Sequence, residues 1–513
     1  MNLAENEDSA QKPQEQLNSQ KASPPRKPKG WGPWMRWKWY REFQQTDDRT
    51  FWRDHDAEEN AKGRLPDDEG VQLPAIWVAE LYTPSTVSGL LKGITDLGWE
   101  YGRSRSDSIT EWMRDVREGR QAGVISLGLV SPPNAKHFMQ EHTATLPAGV
   151  TAALPALMSL TPSLTAFVIV FLFNDGIATS LETPLRAEFT TSVHNDPLLR
   201  PWHVARYILL DGPVRLMRHI STPDIIRHKS VRGRLREIET NCVQWVQARF
   251  PGVFASQPNS YAPTAALLVT EQVTPFSAEA REIRAFGGIT IDRDFDAWEC
   301  DEWSGVRLAL SRGWDEKDNR LVFACRRHDA FPNHIGYADP TSNWAIAQRV
   351  NRDLIQPLLS RWAITCLLDR YHELLSTLRD RTAREDKHRP IQDLIELRSL
   401  ARTTLYDIGV CTQEIVEFTE SERAYRFNTL EMSYIREVQG EKLKLLNELR
   451  SSQARRAQQV QREATLLQST LSTSNDLSQM IANLRIQQFM AILTAISVIV
   501  ALWAAYTAVT TGP

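Results

Sequence analysis

Cysteine is scarce and scattered in this chain. Its five cysteines, Cys242, Cys300, Cys325, Cys366 and Cys411, include no CxxC pair. That pattern argues against a disulfide framework and a structural zinc site, and it fits a reducing compartment. The N-terminal stretch has no apolar run of secretory type, so no signal peptide is expected there. Net charge is small as well: −3 over 513 residues gives no global pull toward nucleic acid or anionic lipid. The standard catalytic signatures are missing: no GxxxxGK(S/T), no GxGxxG after a strand, no HExxH, no GxSxG and no kinase set. The histidines are dispersed, and His137 and His142 stand five apart, off the four-residue spacing that places two ligands on one helix face. No catalytic residue and no cofactor site emerges, and a non-enzymatic role is the expectation.

Ordinary globular material is present, with 42% hydrophobic and 24% charged residues and length enough for two or three domains. Residues 1–30 are polar and proline-rich and read as a disordered tail. Residues 31–72 form a Trp-rich basic segment and linker, in which Trp31, Trp34 and Trp37 interleave with Arg36 and Lys38. Three readings of that cluster stay open: packing of the rings on a following domain, contact with a membrane surface, or stacking on nucleic acid.

Residues 73–335 mix strand-like and helical patterns, which predicts an α+β or α/β domain. PAIWVAELY reads as a strand, and Ser85 is placed to cap a helix running to about Leu97. A second helix is predicted over Ile109–Glu118. LTAFVIVFLF (164–173), inside a stretch with no charge between His142 and Asp175, has the length of a buried central strand; a second membrane span is the alternative. LRAEFTTSV (185–193) continues the strand pattern.

Residues 343–488 are rich in Leu, Arg, Glu and Gln and read as a helical stalk, with one long helix expected over Glu414–Leu471. Phe489–Val509 has no charge, glycine or proline. At ~1.5 Å per residue it would reach ~31 Å, about the thickness of a bilayer's hydrocarbon. The expectation is one C-terminal transmembrane helix beginning at Phe489, with Arg485 before it and Trp503 and Tyr506 near its far end. The protein is then a tail-anchored, single-pass membrane protein whose N-terminal domains stay cytosolic, with the lipid bilayer as partner and a stalk that oligomerises.

One acidic stretch invites a metal reading. Asp292, Asp294 and Asp296 alternate as at the start of a calcium loop, but Ala297 stands where that loop needs glycine and Trp303 where it needs glutamate. The same alternation on a strand puts three carboxylates on a wet face.

NLRIQQFMAILTAISVIV (483–500) resembles the point where the stalk helix of CorA-type magnesium channels becomes their first transmembrane helix, through Asn483, Arg485, Met490, Leu493 and Thr494. The order of domains is similar too. The resemblance implies a homo-oligomer of five chains, Thr494 and Ser497 facing a central axis, and Mg2+ as the cation handled. The chain departs from that family in lacking its Gly-Met-Asn loop and second span, which puts transport in doubt.

Overall fold

The computed structural model describes residues 32–35, 37–38, 49–101, 108–135, 140–197, 216–255, 262–288, 295–311, 319–329, 339, 341–383, 391–435 and 442–510. Within these, the side chains of 49–54, 140, 193–197, 216–219, 278, 281, 288, 311, 381–383, 391–402, 471–486, 491–492, 495–496 and 499–510 lie outside the description. Two units result, 1–62 with 188–226, and 63–187 with 227–513.

In the smaller unit the helix Arg49–Gly63 is tied to the segment before a hairpin. Buried Asp56 accepts from the Thr191 backbone N–H at 2.9 Å and from the Thr191 hydroxyl, and Asn60 exchanges two bonds with the Phe189 backbone. Ser192–Pro197 and Leu216–Ser221 then pair antiparallel.

The larger unit is built on an eleven-stranded sheet. Its elements run β1 (Val71–Tyr82), α1 (Val87–Asp96), α2 (Ile109–Arg117), β2 (Val124–Ser126), β3 (Leu129–Ser131), β4 (Gln140–Thr143), β5 (Val150–Thr161), β6 (Leu164–Phe173), α3 (Pro223–Arg249), β7 (Thr264–Thr270), β8 (Phe295–Cys300), β9 (Arg307–Ser311), β10 (Arg320–Arg326), α4 (Asn343–Val350), α5 (Gln356–Ala383), α6 (Ile391–Glu420), β11 (Met432–Tyr434) and α7 (Leu445–Thr510). The strand order is β11-β8-β9-β10-β7-β1-β6-β5-β3-β4, with β2 also on β5. Pairing is antiparallel except for β7–β10 and β3–β4.

The central strands read as unbroken apolar runs because helices cover both faces of the sheet. All ten residues of β6 and all seven of β7 are buried. On one face Phe167 and Phe171 of β6 meet Phe250 and Trp245 at ring separations of 4.7 and 5.6 Å. On the other, Trp77 of β1, paired with Val170, donates its indole N–H to Asn351 at 2.7 Å. Asn351 opens a π-helical turn, Asn351–Ile355, that joins α4 to α5. Helix α5 lies on β1 and β6, and α7 packs along α5 and α6. Buried Arg361 of α5 locks this bundle by donating to the carbonyls of Pro357, Tyr425 and Phe427. Gln453 of α7 accepts from the Tyr425 hydroxyl and donates to the Arg361 carbonyl.

Several expectations change. Ser85 does not cap α1: Thr86 is the N-cap residue, and the Ser85 hydroxyl is drawn instead to the buried carboxylate of Asp407. The segment 185–193 holds no long strand; a short helix, Glu182–Arg186, ends there and a strand begins only at Ser192. The uncharged stretch between His142 and Asp175 forms β5 and β6, not a second span. The long helix expected from Glu414 is interrupted. Helix α6 stops at Glu420, Asn428 takes a left-handed backbone (φ 53°), and Met432–Tyr434 joins the sheet beside β8. Tertiary pairing there overrides the helical composition.

The C-terminal transmembrane helix is also corrected. Among the described residues no helix is long and apolar enough to cross a membrane. Phe489–Val509 is not a separate element but the last third of α7, one helix of 66 residues that runs through Ser472–Asn475 without a break. Its described side chains between 487 and 498 are half polar (Gln487, Gln488, Thr494, Ser497) and half apolar (Phe489, Met490, Leu493, Val498). The tail-anchored, single-pass membrane localisation falls with that span. Phe489 is exposed, while the side chains proposed with it, Arg485, Trp503 and Tyr506, lie outside the description.

Candidate functional site

At one end of the sheet the chain leaves an open cleft of about 400 Å³. Three kinds of segment meet there: the start of β1 with Gln72 and Pro74, the ends of the β5–β6 pair with Thr151 and Phe173, and the start of α4 with Ser342, Asn343 and Trp344. Asp175, just past β6, and Arg327, just past β10, complete it. The pairing of β1 with β7 slips between Gln72 and Ala75. A bulge of this kind, here with a proline inside a strand, re-aims the neighbouring side chains.

Arg327 organises the cleft. Its backbone N–H continues the ladder by donating to Thr270 O at 2.8 Å, and its Nε donates to Glu271 at 2.8 Å. Nη1 donates to the Thr341 carbonyl, and Nη2 to Gln72 Oε1 at 3.0 Å and Asn343 Oδ1 at 2.9 Å. Asn343 Nδ2 donates to the same Gln72 oxygen at 2.7 Å. Ser342 caps α4 by accepting from the Ala345 N–H.

A second polar cluster sits where α6 meets the opposite end of β1. Buried Asp407 accepts from the Thr83 hydroxyl at 2.6 Å and from Ser85. Two turns on, Glu414 accepts from the Ser163 N–H and hydroxyl at 2.8 and 2.7 Å. Arg117 of α2 reaches Thr83 O at 3.5 Å; burial lowers its pKa, and Cys411, Glu414 and Asp407 oppose that shift. The cluster acts as a clamp holding α6 to β1 and to the β5–β6 turn.

Glu80 of β1 is fully buried. Its Oε1 accepts from the N–H groups of Leu81 at 3.1 Å and Phe254 at 2.7 Å, while Oε2 has no hydrogen-bond partner among the described residues. Burial raises its pKa to about 8 against the lowering effect of those backbone donors. His142, on β4, stacks on Trp99 at 5.6 Å, and burial lowers its pKa.

The acidic stretch is only partly seen. Asp292 and Asp294 lie outside the described residues, and Asp296 accepts from the Tyr434 hydroxyl at 2.9 Å. Among the described residues no three His, Cys, Asp or Glu side chains converge to hold a metal ion. Thr494 and Ser497 donate back to the Met490 and Leu493 carbonyls of their own helix. In the Trp-rich segment Trp34 and Trp37 are exposed, with Lys38 Nζ 5.8 Å from the Trp34 ring, and Trp31 and Arg36 lie outside the described residues.

No protein-family model matches this chain, and no curated protein does. The likeness of 483–500 to a channel stalk therefore stands on those residues alone.

Proposed function

We propose that this chain is a non-enzymatic binding and assembly protein whose terminal helix α7 brings copies of it together. One observation carries the reading. Helix α7 is anchored to its own domain through Leu445, Leu446, Leu449, Ala457, Val460, Ala464 and Leu467, all buried. Further along, the same helix presents Phe489, Met490, Leu493 and Val498 to solvent at 44–63% exposure. Phe489 and Leu493, four apart, share one face of the helix, and Met490 and Thr494 share an adjacent one.

Fully burying a large apolar side chain contributes ~1.5–3 kcal/mol. Covering these four, each about half exposed already, contributes roughly 4 kcal/mol per chain. A micromolar dimer needs ~8 kcal/mol net, after association costs. The four residues of two chains give about 8 kcal/mol before association costs, so the net figure requires the uncharged remainder of 489–509 to pack as well. Parallel alignment of identical helices brings like faces together along that whole length, which favours a second copy over an unrelated partner. The resemblance's alternative, a divalent-cation channel subunit, requires a membrane-crossing helix, and among the described residues there is none.

Light scattering on the purified full chain tests the proposal. The expected mass is an integer multiple of the chain's own, falling to a single chain in the Leu493→Glu, Val498→Glu double variant. A wild-type protein that stays monomeric at tens of micromolar would end it.

A further inference from the structure

We infer that β4 is an acid-released edge of the sheet, freed from β3 when His142 takes up a proton. The inference is independent of the assembly proposal.

The strand is built to open. It is four residues long, ends the sheet, and pairs on one side only, in parallel with β3, through a ladder whose register slips between Leu129 and Val130. Short pairing at an edge opens at far lower cost than the core of a sheet. Its central histidine is nevertheless set inward. His142 stands opposite fully buried Val130 in the ladder, and its ring stacks on fully buried Trp99 with the centroids 5.6 Å apart and the planes at 30°.

These surroundings suit a neutral imidazole. The ring bonds the backbone of Leu127, whose N–H is already given to the Pro155 carbonyl at 2.9 Å, so the Leu127 carbonyl accepts from the ring. The other nitrogen, Nε2, is sealed from solvent with no hydrogen-bond partner among the described residues. In the neutral ring that nitrogen carries only a lone pair; in the imidazolium it carries a second N–H, buried and without an acceptor. Trp99 cannot supply one, since its own indole N–H is also buried without a partner. Glu141 of the same strand favours the cation, and beyond Trp99 and Trp245, on α3, the charged group is Arg249, 4.4 Å from the Trp245 ring centroid. Burial outweighs Glu141 and holds the ring's pKa below its ordinary 6.5. In the opened strand the ring returns to that value. Closing β4 therefore expels a proton, and the open fraction grows as pH falls below ~6.5, by at most ~tenfold per pH unit. Release uncovers the Leu129–Ser131 edge and the Trp99 ring.

Hydrogen exchange on the full chain, corrected for the intrinsic pH dependence of exchange, tests the inference. Protection of the 140–143 amides is expected to fall about threefold or more between about pH 7.5 and 5.5, while the amides of β6 show no such fall. His142→Phe keeps a ring on Trp99 but takes no proton, and its β4 protection is expected to stay level over the same range. Should that variant misfold, the proton NMR titration of His142 in the wild type decides: a midpoint below ~6.5 is expected, and one at or above it overturns the inference. So does wild-type β4 protection that stays level, or that falls as steeply in folded His142→Phe.

Discussion

Glu80→Gln should abolish a pH dependence of stability that the fold builds into β1. In the folded chain the carboxyl is held protonated up to pH about 8 by burial, whereas in the unfolded chain it ionises above pH ~4.3. Between those values the native state binds more protons than the unfolded one, so the contribution is fully present below pH ~4 and is lost as pH rises toward 8. The slope is at most ~1.4 kcal/mol per pH unit, giving roughly 3–4 kcal/mol between pH 5 and pH 8. Glutamine keeps an oxygen for the Leu81 and Phe254 N–H groups, at 3.1 and 2.7 Å in the wild type. It places an NH2 where the neutral acid has its hydroxyl. The extra buried N–H shifts the variant's absolute stability by ~1 kcal/mol, but that offset does not change with pH. The quantity to measure is therefore the stability difference, variant minus wild type, from urea unfolding at half-unit steps between pH 5 and 8. It should grow in the variant's favour by about 3 kcal/mol across the series. A difference that stays flat, or that shrinks as pH rises, would refute the reasoning that Glu80 is a neutral acid in the fold.

Three further outcomes follow from the packing. Gly93→Ala in α1 should destabilise by about 2 kcal/mol or more, although alanine is the better helix former by ~1 kcal/mol; the added Cβ would sit 2.2 Å from the Arg249 carbonyl oxygen, and thermal unfolding reads the sign. Arg361→Met should cost about 3–5 kcal/mol in a denaturant titration, because it strips the donors from the Tyr425, Pro357 and Phe427 carbonyls at once. All five cysteines are buried, and burial pushes the Cys325 and Cys411 thiols up to about 12. A thiol-disulfide reagent at pH 8 should thus titrate none in the native protein and five in denaturant.

Much of the sheet was legible in the residues. LTAFVIVFLF and PAIWVAELY form β6 and most of β1 because strands covered on both faces are written as continuous apolar runs. Helix α2 was equally plain, with Trp112, Met113 and Val116 all buried. What escaped was decided by distant partners. Met432–Tyr434 lies in a helix-rich composition and becomes a strand only because β8 offers an edge to pair with. Ser85 has the chemistry of a cap, but Asp407, over three hundred residues away, takes its hydroxyl. The cleft had no motif to find, since Gln72, Asp175, Arg327 and Asn343 come from four separate segments. Its two faint local signals were Pro74 inside a strand pattern and an arginine closing an otherwise apolar one. Phe489–Val509 misled for the opposite reason: uncharged length resembles a bilayer span, while the helix that contains it is continuous with a packed stalk.

The ends of the eleven-stranded sheet bear on how this protein behaves when crowded. An open strand edge is a template on which another chain can add, and long flat edges are where aggregates begin. Here one terminal strand, β11, has three residues, and its outer side is already bridged by Lys444 opposite Ser433. The other, β4, has four residues. A broad sheet is thereby finished at both sides with almost no backbone left to recruit a neighbour. At the two ends of this sheet, copies of the chain that meet at high concentration find only these short strands to extend, so cross-β addition there is disfavoured.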